Sequence, residues 1–208
     1  MPARYPVVLD VTGLLAVVAG GGRVATRRAL GLLDAGARVR AVAPEATAEL
    51  AARAETSALQ WLRRPWRQGD LAGAALVVAA TGSPATNRAV AAQARAAGVP
   101  VNVADRPEAG TFQVPAVLQR GGLVLAVATS GRVPGLAGAL RRRLGDQFGP
   151  EWADLVELLS GLRGRLPDAA DAGGWDRLLA PGLLEAVRAG DLARARTLAE
   201  RRATARSR

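Results

Sequence analysis

A continuous apolar run, Leu14-Leu15-Ala16-Val17-Val18-Ala19, stops at Gly20-Gly21-Gly22 and passes straight into a helical pattern. An apolar run without polar alternation is the mark of a strand buried on both faces. Over residues 23–35, Val24, Ala29, Leu32 and Leu33 share one helical face while Arg27, Arg28 and Asp34 occupy another, and Gly36 stands where a helix end favours glycine. Strand and helix signals then alternate: strands over 38–42, 58–62, 75–79 and 99–103, helices over 46–54 and 84–97. Strands separated by helices of this length need right-handed crossovers and a parallel sheet. The expected fold class is α/β, a Rossmann-type doubly wound parallel sheet occupying residues 1–111.

After Pro107 the pattern changes. Two strands are expected over 112–117 and 123–128, joined by Arg120-Gly121-Gly122, then a helix over 134–144 opened by Pro134. Residues 112–148 are expected to form a hairpin-like extension followed by that helix. From Gly149 onward only helices are signalled, over 151–162, 182–189 and 192–203, with 167–174 as a loop between them. Residues 149–208 are therefore expected to be an all-helical C-terminal domain.

Composition narrows the chemistry. Cysteine and histidine are both absent, and all 28 basic residues are arginine. Thiolate catalysis, zinc fingers, a P-loop lysine, a Schiff base and the commonest general base are excluded together. The formal charge of +10 is spread along the chain and only seven residues are aromatic (four Trp, one Tyr, two Phe), so no nucleic-acid partner is expected. The apolar runs fall short of a membrane span. Arg4 and the apolar residues after it resemble a leader only faintly, because Asp10 interrupts them. A soluble, cytoplasmic protein is expected.

Gly20-Gly21-Gly22-Arg23-Val24-Ala25 fits G-x-G-x-x-A between a strand and a helix. Gly20 permits a tight turn, Gly22 lets a pyrophosphate approach the backbone, and Ala25 allows close helix–strand packing, with the anion on the helix N-terminus. Glu45, just beyond Pro44, is either the acid that binds a cofactor ribose or the first turn of the next helix. Arg38 and Arg40 keep a 2′-phosphate, and hence NADP, open. In a parallel sheet ligands bind at the strands' C-terminal edge, which puts Gly20–Gly22, Thr81-Gly82 and Asp105 on one side. Asp105 is the candidate general base in a chain without His, Lys or Cys; a turn or cap before Pro107 is the other reading. Thr129-Ser130-Gly131 offers hydroxyls and N–H groups to an anion, or serves as an ordinary cap. Asn87 and Asn102 flank the same edge without a separable role.

These residues resemble the precorrin-2 dehydrogenase family, which includes the amino-terminal region of siroheme synthase. The likeness runs from about residue 5 to 145. It rests on Tyr5-Pro6 with Leu9, on Gly20–Ala25, on Leu32-Leu33-Asp34-Ala35-Gly36-Ala37 and on Val42-Ala43-Pro44-Glu45. Ala79-Ala80-Thr81 with Asn87, Val101-Asn102-Val103-Ala104-Asp105, Phe112 with Pro115, and Ser130-Gly131 with Pro134 complete it. The resemblance implies NAD-dependent oxidation of precorrin-2 to sirohydrochlorin in siroheme biosynthesis. It implies Asp105 as the catalytic residue, with Gly20, Gly22, Arg23, Val24, Ala25, Pro44, Glu45, Thr81 and Gly82 at the cofactor. Asn102, Phe112, Thr129, Ser130 and Gly131 would meet a polycarboxylate tetrapyrrole, whose carboxylates suit arginine. It also implies a homodimer, assembled through residues 112–148, the dimerisation and substrate-cleft segment, and the helical tail. Some members insert Fe2+ afterwards; here Fe2+ would be a substrate, handled by Asp105 and the macrocycle's own nitrogens. The methyltransferase domains of the longer fused synthase are not expected in this chain. Three departures stand out: Gly82 where the family has Asp, Arg132-Val133 in the Ser-Gly loop, and the absence of histidine. The alternative from another class is a dinucleotide-sensing regulatory domain without catalysis.

Overall fold

The computed structural model describes residues 5–56, 59–131, 133–166 and 171–204. The chain divides into two compact units, Met1–Val114 and Pro115–Arg208.

The first unit is a five-stranded parallel sheet in the order β3-β2-β1-β4-β5. Its strands are β1 (Leu15–Ala19), β2 (Arg38–Val42), β3 (Leu59–Leu62), β4 (Leu76–Ala79) and β5 (Val101–Val103). Helices α1 (Arg23–Asp34), α2 (Ala48–Thr56) and α3 (Pro84–Ala96) make the crossovers. The doubly wound class read from the alternation is the one observed.

Burial follows the strand period of two. Val17, Ala19, Val77, Ala79, Val101 and Val103 form one face and pack with Val90, Ala91 and Ala94 of α3. Val18, Val39, Ala41, Leu59 and Val78 form the other and meet Ala25 and Ala29 of α1 and Leu50 of α2. Alanines at both α1 positions let that helix lie close to β1. The strand order turns back between β1 and β4, so the connections leaving their paired C-terminal ends run to opposite faces of the sheet and leave a crevice there.

Two elements are shorter than their sequence signal. Residues 99 and 100 stay outside β5, and position 58 lies outside the described residues, leaving β3 at 59–62. Helix α2 begins at Ala48, later than expected, because Thr47 accepts Leu50's N–H at 3.3 Å and starts the helix there.

The second unit contains the hairpin β6 (Ala116–Arg120) and β7 (Leu123–Val127), then α4 (Pro134–Gln147), α5 (Glu151–Ser160), α6 (Ala172–Leu178), α7 (Leu183–Arg188) and α8 (Leu192–Thr204). Arg120 pairs with Leu123, so the turn is Gly121-Gly122 alone. Strand β6 starts four residues later than residues 112–117 suggest. Thr111 and Phe112 instead bond through their N–H groups to the carbonyl of Val101, which ties them to the first unit. Helix α6 overturns the expected loop at 171–174. Its two glycines mask it in the sequence, but Asp171 caps it by accepting the Gly174 N–H at 2.8 Å, and Leu178 is fully buried. Residues 167–170 of that loop lie outside the described residues. The helices enclose Leu155, Leu158, Leu178, Leu183, Val187 and Ala195.

Candidate functional site

The glycine turn is built from three glycines that are glycine for three different reasons. Gly20 has φ +122°, and a Cβ there would sit 2.3 Å from the Ala80 carbonyl oxygen; β1 and β4 touch at this point. A Cβ on Gly21 would lie 2.0 Å from the Glu45 carbonyl oxygen, so the turn after β2 presses against it. Gly22 has an extended backbone, φ −77° and ψ 178°, and faces open space. It is the N-cap of α1, with no side chain to occupy the helix's free N–H groups and no acid in the first turn. The positive end of α1 therefore opens on an unobstructed approach.

That approach leads into a cavity of about 600 Å3. One wall is Gly20–Gly22, a second is Pro44, Glu45 and Thr47, and a third is Thr81, Gly82 and Ser83 with Pro65-Trp66. Glu45 is exposed and lies in the turn, not in α2. The hydroxyls of Thr26 and Thr47 meet at 2.7 Å and join α1 to the second wall. Thr26 also donates to the Gly22 carbonyl at 3.1 Å.

The loop carrying Pro65-Trp66 is fixed by Asp70. Its carboxylate, 6 % exposed, receives both Arg64 guanidinium nitrogens, at 2.9 and 2.6 Å, and the Arg67 N–H at 2.7 Å. The Arg64 hydrogen bonds hold the Asp70 carboxyl below its ordinary range, outweighing the burial that pushes it up. Trp66 donates from its indole N–H to Gln93 on α3 at 3.2 Å.

Beyond β5, Asp105 is exposed at the same C-terminal sheet edge. The link between it and the cavity wall is Asn87 of α3, which is 2 % exposed. Asn87 Nδ2 donates to Asp105 Oδ1 at 2.8 Å, while Asn87 Oδ1 accepts the Thr81 N–H at 3.0 Å and the Thr81 hydroxyl at 2.7 Å.

The remaining candidate side chains lie outside the cavity lining, although Arg23, Val24 and Ala25 supply the first N–H groups of α1. Arg23 lines a separate groove of about 450 Å3 with Thr26, Arg27 and Glu49. Val24 is exposed, and Ala25 is wholly inside the core. Arg38 donates to the Gly13 carbonyl from the opposite end of β2. Arg40 is committed to Gln60 and to the carbonyls of Asp70 and Ala72. Neither arginine meets a phosphate at the cleft. Asn102 is buried; its Nδ2 holds the Phe112 carbonyl at 3.1 Å and its Oδ1 has no partner among the described residues. Phe112 packs with Val11, Ala16, Ala37 and Leu76. Thr129, Ser130 and Gly131 belong to the second unit. Ser130 and Gly131 both take left-handed backbones, at φ 52° and 74°, and Thr129 Oγ1 accepts the Val133 N–H at 3.3 Å. Arg132 lies outside the described residues. Among the described residues no group of three or more Asp, Glu, His or Cys is placed to hold a metal ion.

Residues 7–116 match the family model described as "Putative NAD(P)-binding". The chain belongs to this NAD(P)-binding family. Over 202 residues it is 39 % identical to a siroheme synthase of Pseudomonas paraeruginosa, covering 95 % of the chain and 43 % of that protein. Over 206 residues it is 40 % identical to a siroheme synthase of Chromobacterium violaceum, covering 97 % and 44 %. The chain thus spans less than half the length of these relatives. A solved structure named "SirC, precorrin-2 dehydrogenase" superposes with a TM-score of 0.71 at 27 % identity, covering 96 % of this chain and 98 % of that one.

In this NAD(P)-binding unit, sequence reasoning missed the residues that complete the cleft. Trp66 and Asp70 sit in an irregular stretch with no periodicity to read. Thr47 carries no signal beyond a helix cap. Asn87 is placed at this edge by the sequence but without a role; its position on the helix face of Val90, Ala91 and Ala94 is a usable clue, because a buried amide requires partners.

Proposed function

We propose that this chain catalyses NAD-dependent dehydrogenation of precorrin-2 to sirohydrochlorin. The single observation that carries the reading is the carboxylate of Asp105, coupled through Asn87 to Thr81 on the wall of the dinucleotide cleft. The glycine turn and the free N–H groups of α1 fit a pyrophosphate, since each of the three glycines either clears backbone or leaves open space for it. The dinucleotide, when bound, supplies the hydride acceptor. Glu45 at the rim accepts the ribose hydroxyls and repels a 2′-phosphate, which favours NAD over NADP. Asp105 takes the proton that the substrate loses as the hydride leaves, so two electrons and two hydrogens are accounted for. Its exposure leaves it open to a large macrocycle.

The likeness to the siroheme synthases and to the precorrin-2 dehydrogenase structure supports this substrate. The Thr129-Ser130-Gly131 loop is the proposed macrocycle contact. Phe112, expected beside it, packs on Val11, Ala16, Ala37 and Leu76 at the N-terminal ends of the strands, so its side chain is not at the cleft and the loop alone is kept. The exposed Val117, Val124, Leu136 and Leu140 of the second unit support a homodimer built on that part of the chain. Among the described residues no helix is long and apolar enough to cross a membrane, in keeping with a cytoplasmic enzyme.

The test is an anaerobic assay of precorrin-2 with NAD+, with and without Fe2+. NADH and sirohydrochlorin should form together without metal; metal insertion is read separately from siroheme. Tight NAD+ binding with no oxidation of precorrin-2 would overturn the proposal in favour of a dinucleotide sensor.

A further inference from the structure

Asn87 is a fully buried amide with every polar valence used. Its Oδ1 accepts from the Thr81 N–H (3.0 Å) and hydroxyl (2.7 Å); its Nδ2 donates to the Thr81 carbonyl (3.2 Å) and to Asp105 Oδ1 (2.8 Å). The amide cannot be turned over. The Thr81 N–H requires an acceptor and the Asp105 carboxylate requires a donor, so only one orientation satisfies both. A helix cap does not need this residue, because Ser83 already caps α3 by accepting the Thr86 N–H at 3.2 Å. Packing does not need it either: its neighbours along the buried face of α3 are Val90, Ala91 and Ala94. A buried polar side chain among these is costly unless its hydrogen bonds do something an apolar residue cannot.

From this we infer that Asn87 is the positioning residue for Asp105: it fixes one carboxylate oxygen, leaves Oδ2 free for the substrate, and locks the acid to the strand end that walls the cofactor cleft. The inference rests on the proposed role of Asp105 as proton acceptor. The other charged groups on the surrounding elements are Arg88 and Arg95 of α3 and, after β5, Arg106 and Glu108. Arg95 is held by the Ala109 carbonyl. Among the described residues none of the four is in an ion pair with Asp105. The amide is therefore the side chain that holds this carboxylate in place.

Asn87→Asp separates positioning from mere structure. An aspartate keeps both acceptor contacts to Thr81, gives up the weaker donor contact to the Thr81 carbonyl, and replaces the donor to Asp105 with a second negative charge. A like charge at hydrogen-bond distance makes the second ionisation of the pair harder and pushes it to higher pH. The acid limb of the kcat/KM profile for precorrin-2 should move up by about one pH unit or more, while the NAD+ Kd stays within about threefold of the parent, a change under 1 kcal/mol. An unmoved acid limb would overturn the inference.

A second arm needs neither the Asn87→Asp protein nor the reaction. In the 15N-labelled NAD+ complex, the Asn87 side-chain amide signals, assigned by their loss in Asn87→Ser, should follow one carboxyl ionisation. That titration should vanish in Asp105→Asn. Amide signals that ignore Asp105 would refute the link. A parent enzyme inert towards precorrin-2, with the amide still tracking Asp105, would refute the proposed reaction and leave the Asn87–Asp105 assignment standing.

Discussion

Replacing Gly22 with alanine should leave the fold almost unchanged and abolish useful cofactor binding; replacing Gly20 should do the reverse first. At Gly22 the backbone is extended, at φ −77° and ψ 178°, and a Cβ meets nothing within 4 Å. Alanine is a poorer N-cap than glycine by roughly 0.5–1 kcal/mol, and the stiffer unfolded chain offsets about 0.4–1 kcal/mol. The net change is within about 0.5 kcal/mol, or about 1–2 °C in Tm for a chain of this size. A methyl group in the open approach to α1, however, would hold a pyrophosphate off the helix N–H groups. Loss of two charge-assisted hydrogen bonds at roughly 1.5 kcal/mol each raises the NAD+ Kd by about 100-fold. At Gly20 an alanine would combine a left-handed strain of about 1–2 kcal/mol with a clash at 2.3 Å against the Ala80 carbonyl. Overpacking of that kind costs a further ~1–3 kcal/mol. The sum, about 2–5 kcal/mol, corresponds to a Tm loss near 10 °C. Calorimetric titration with NAD+ and thermal melting of both variants decide the matter. Gly22→Ala protein that binds NAD+ like the parent would refute the placement of the pyrophosphate.

Three further outcomes are expected. Asp105→Ala should abolish precorrin-2 oxidation while NAD+ affinity, by titration, stays within about threefold, under 1 kcal/mol, because Asp105 reaches the cleft only through Asn87. Glu45→Gln should relax cofactor choice: the NADP+ Kd should fall relative to that of NAD+ by about tenfold, the worth of one removed like-charge contact near 1.4 kcal/mol. Asp70 has its folded-state pKa depressed, foremost by Arg64, so its contribution to stability is complete above the ordinary aspartate value of about 3.9 and is lost as pH falls through the lower folded value. Asp70→Asn should therefore cost about 1–3 kcal/mol at neutral pH and nearly nothing at the acid end, as read from denaturant midpoints across pH.

The sheet and the glycine turn were legible because they obey local rules. Apolar runs without alternation mark doubly buried strands, and Gly20–Gly22 between strand and helix marks a phosphate turn. What could not be read depended on contacts distant in sequence. Arg38 and Arg40 looked like phosphate ligands, yet Arg38 lies at the far end of β2 and Arg40 is consumed by the carbonyls of Asp70 and Ala72. The Trp66 wall exists only because Asp70 folds the 64–70 loop back on itself. Helix α6 hides behind two glycines and is made by its Asp171 cap and the burial of Leu178. Asn87 was visible as a residue, but its bridge joins positions 81, 87 and 105 across three elements, and no spacing rule links those.

A rapid-mixing experiment under nitrogen, with the chain saturated in NAD+ and precorrin-2 added at substoichiometric amounts, bears most directly on the assignment. One NADH per sirohydrochlorin, formed in the same kinetic phase and lost in Asp105→Ala, is the predicted result. Sirohydrochlorin formed without NADH, or formed equally well by the Asp105→Ala protein, would contradict it.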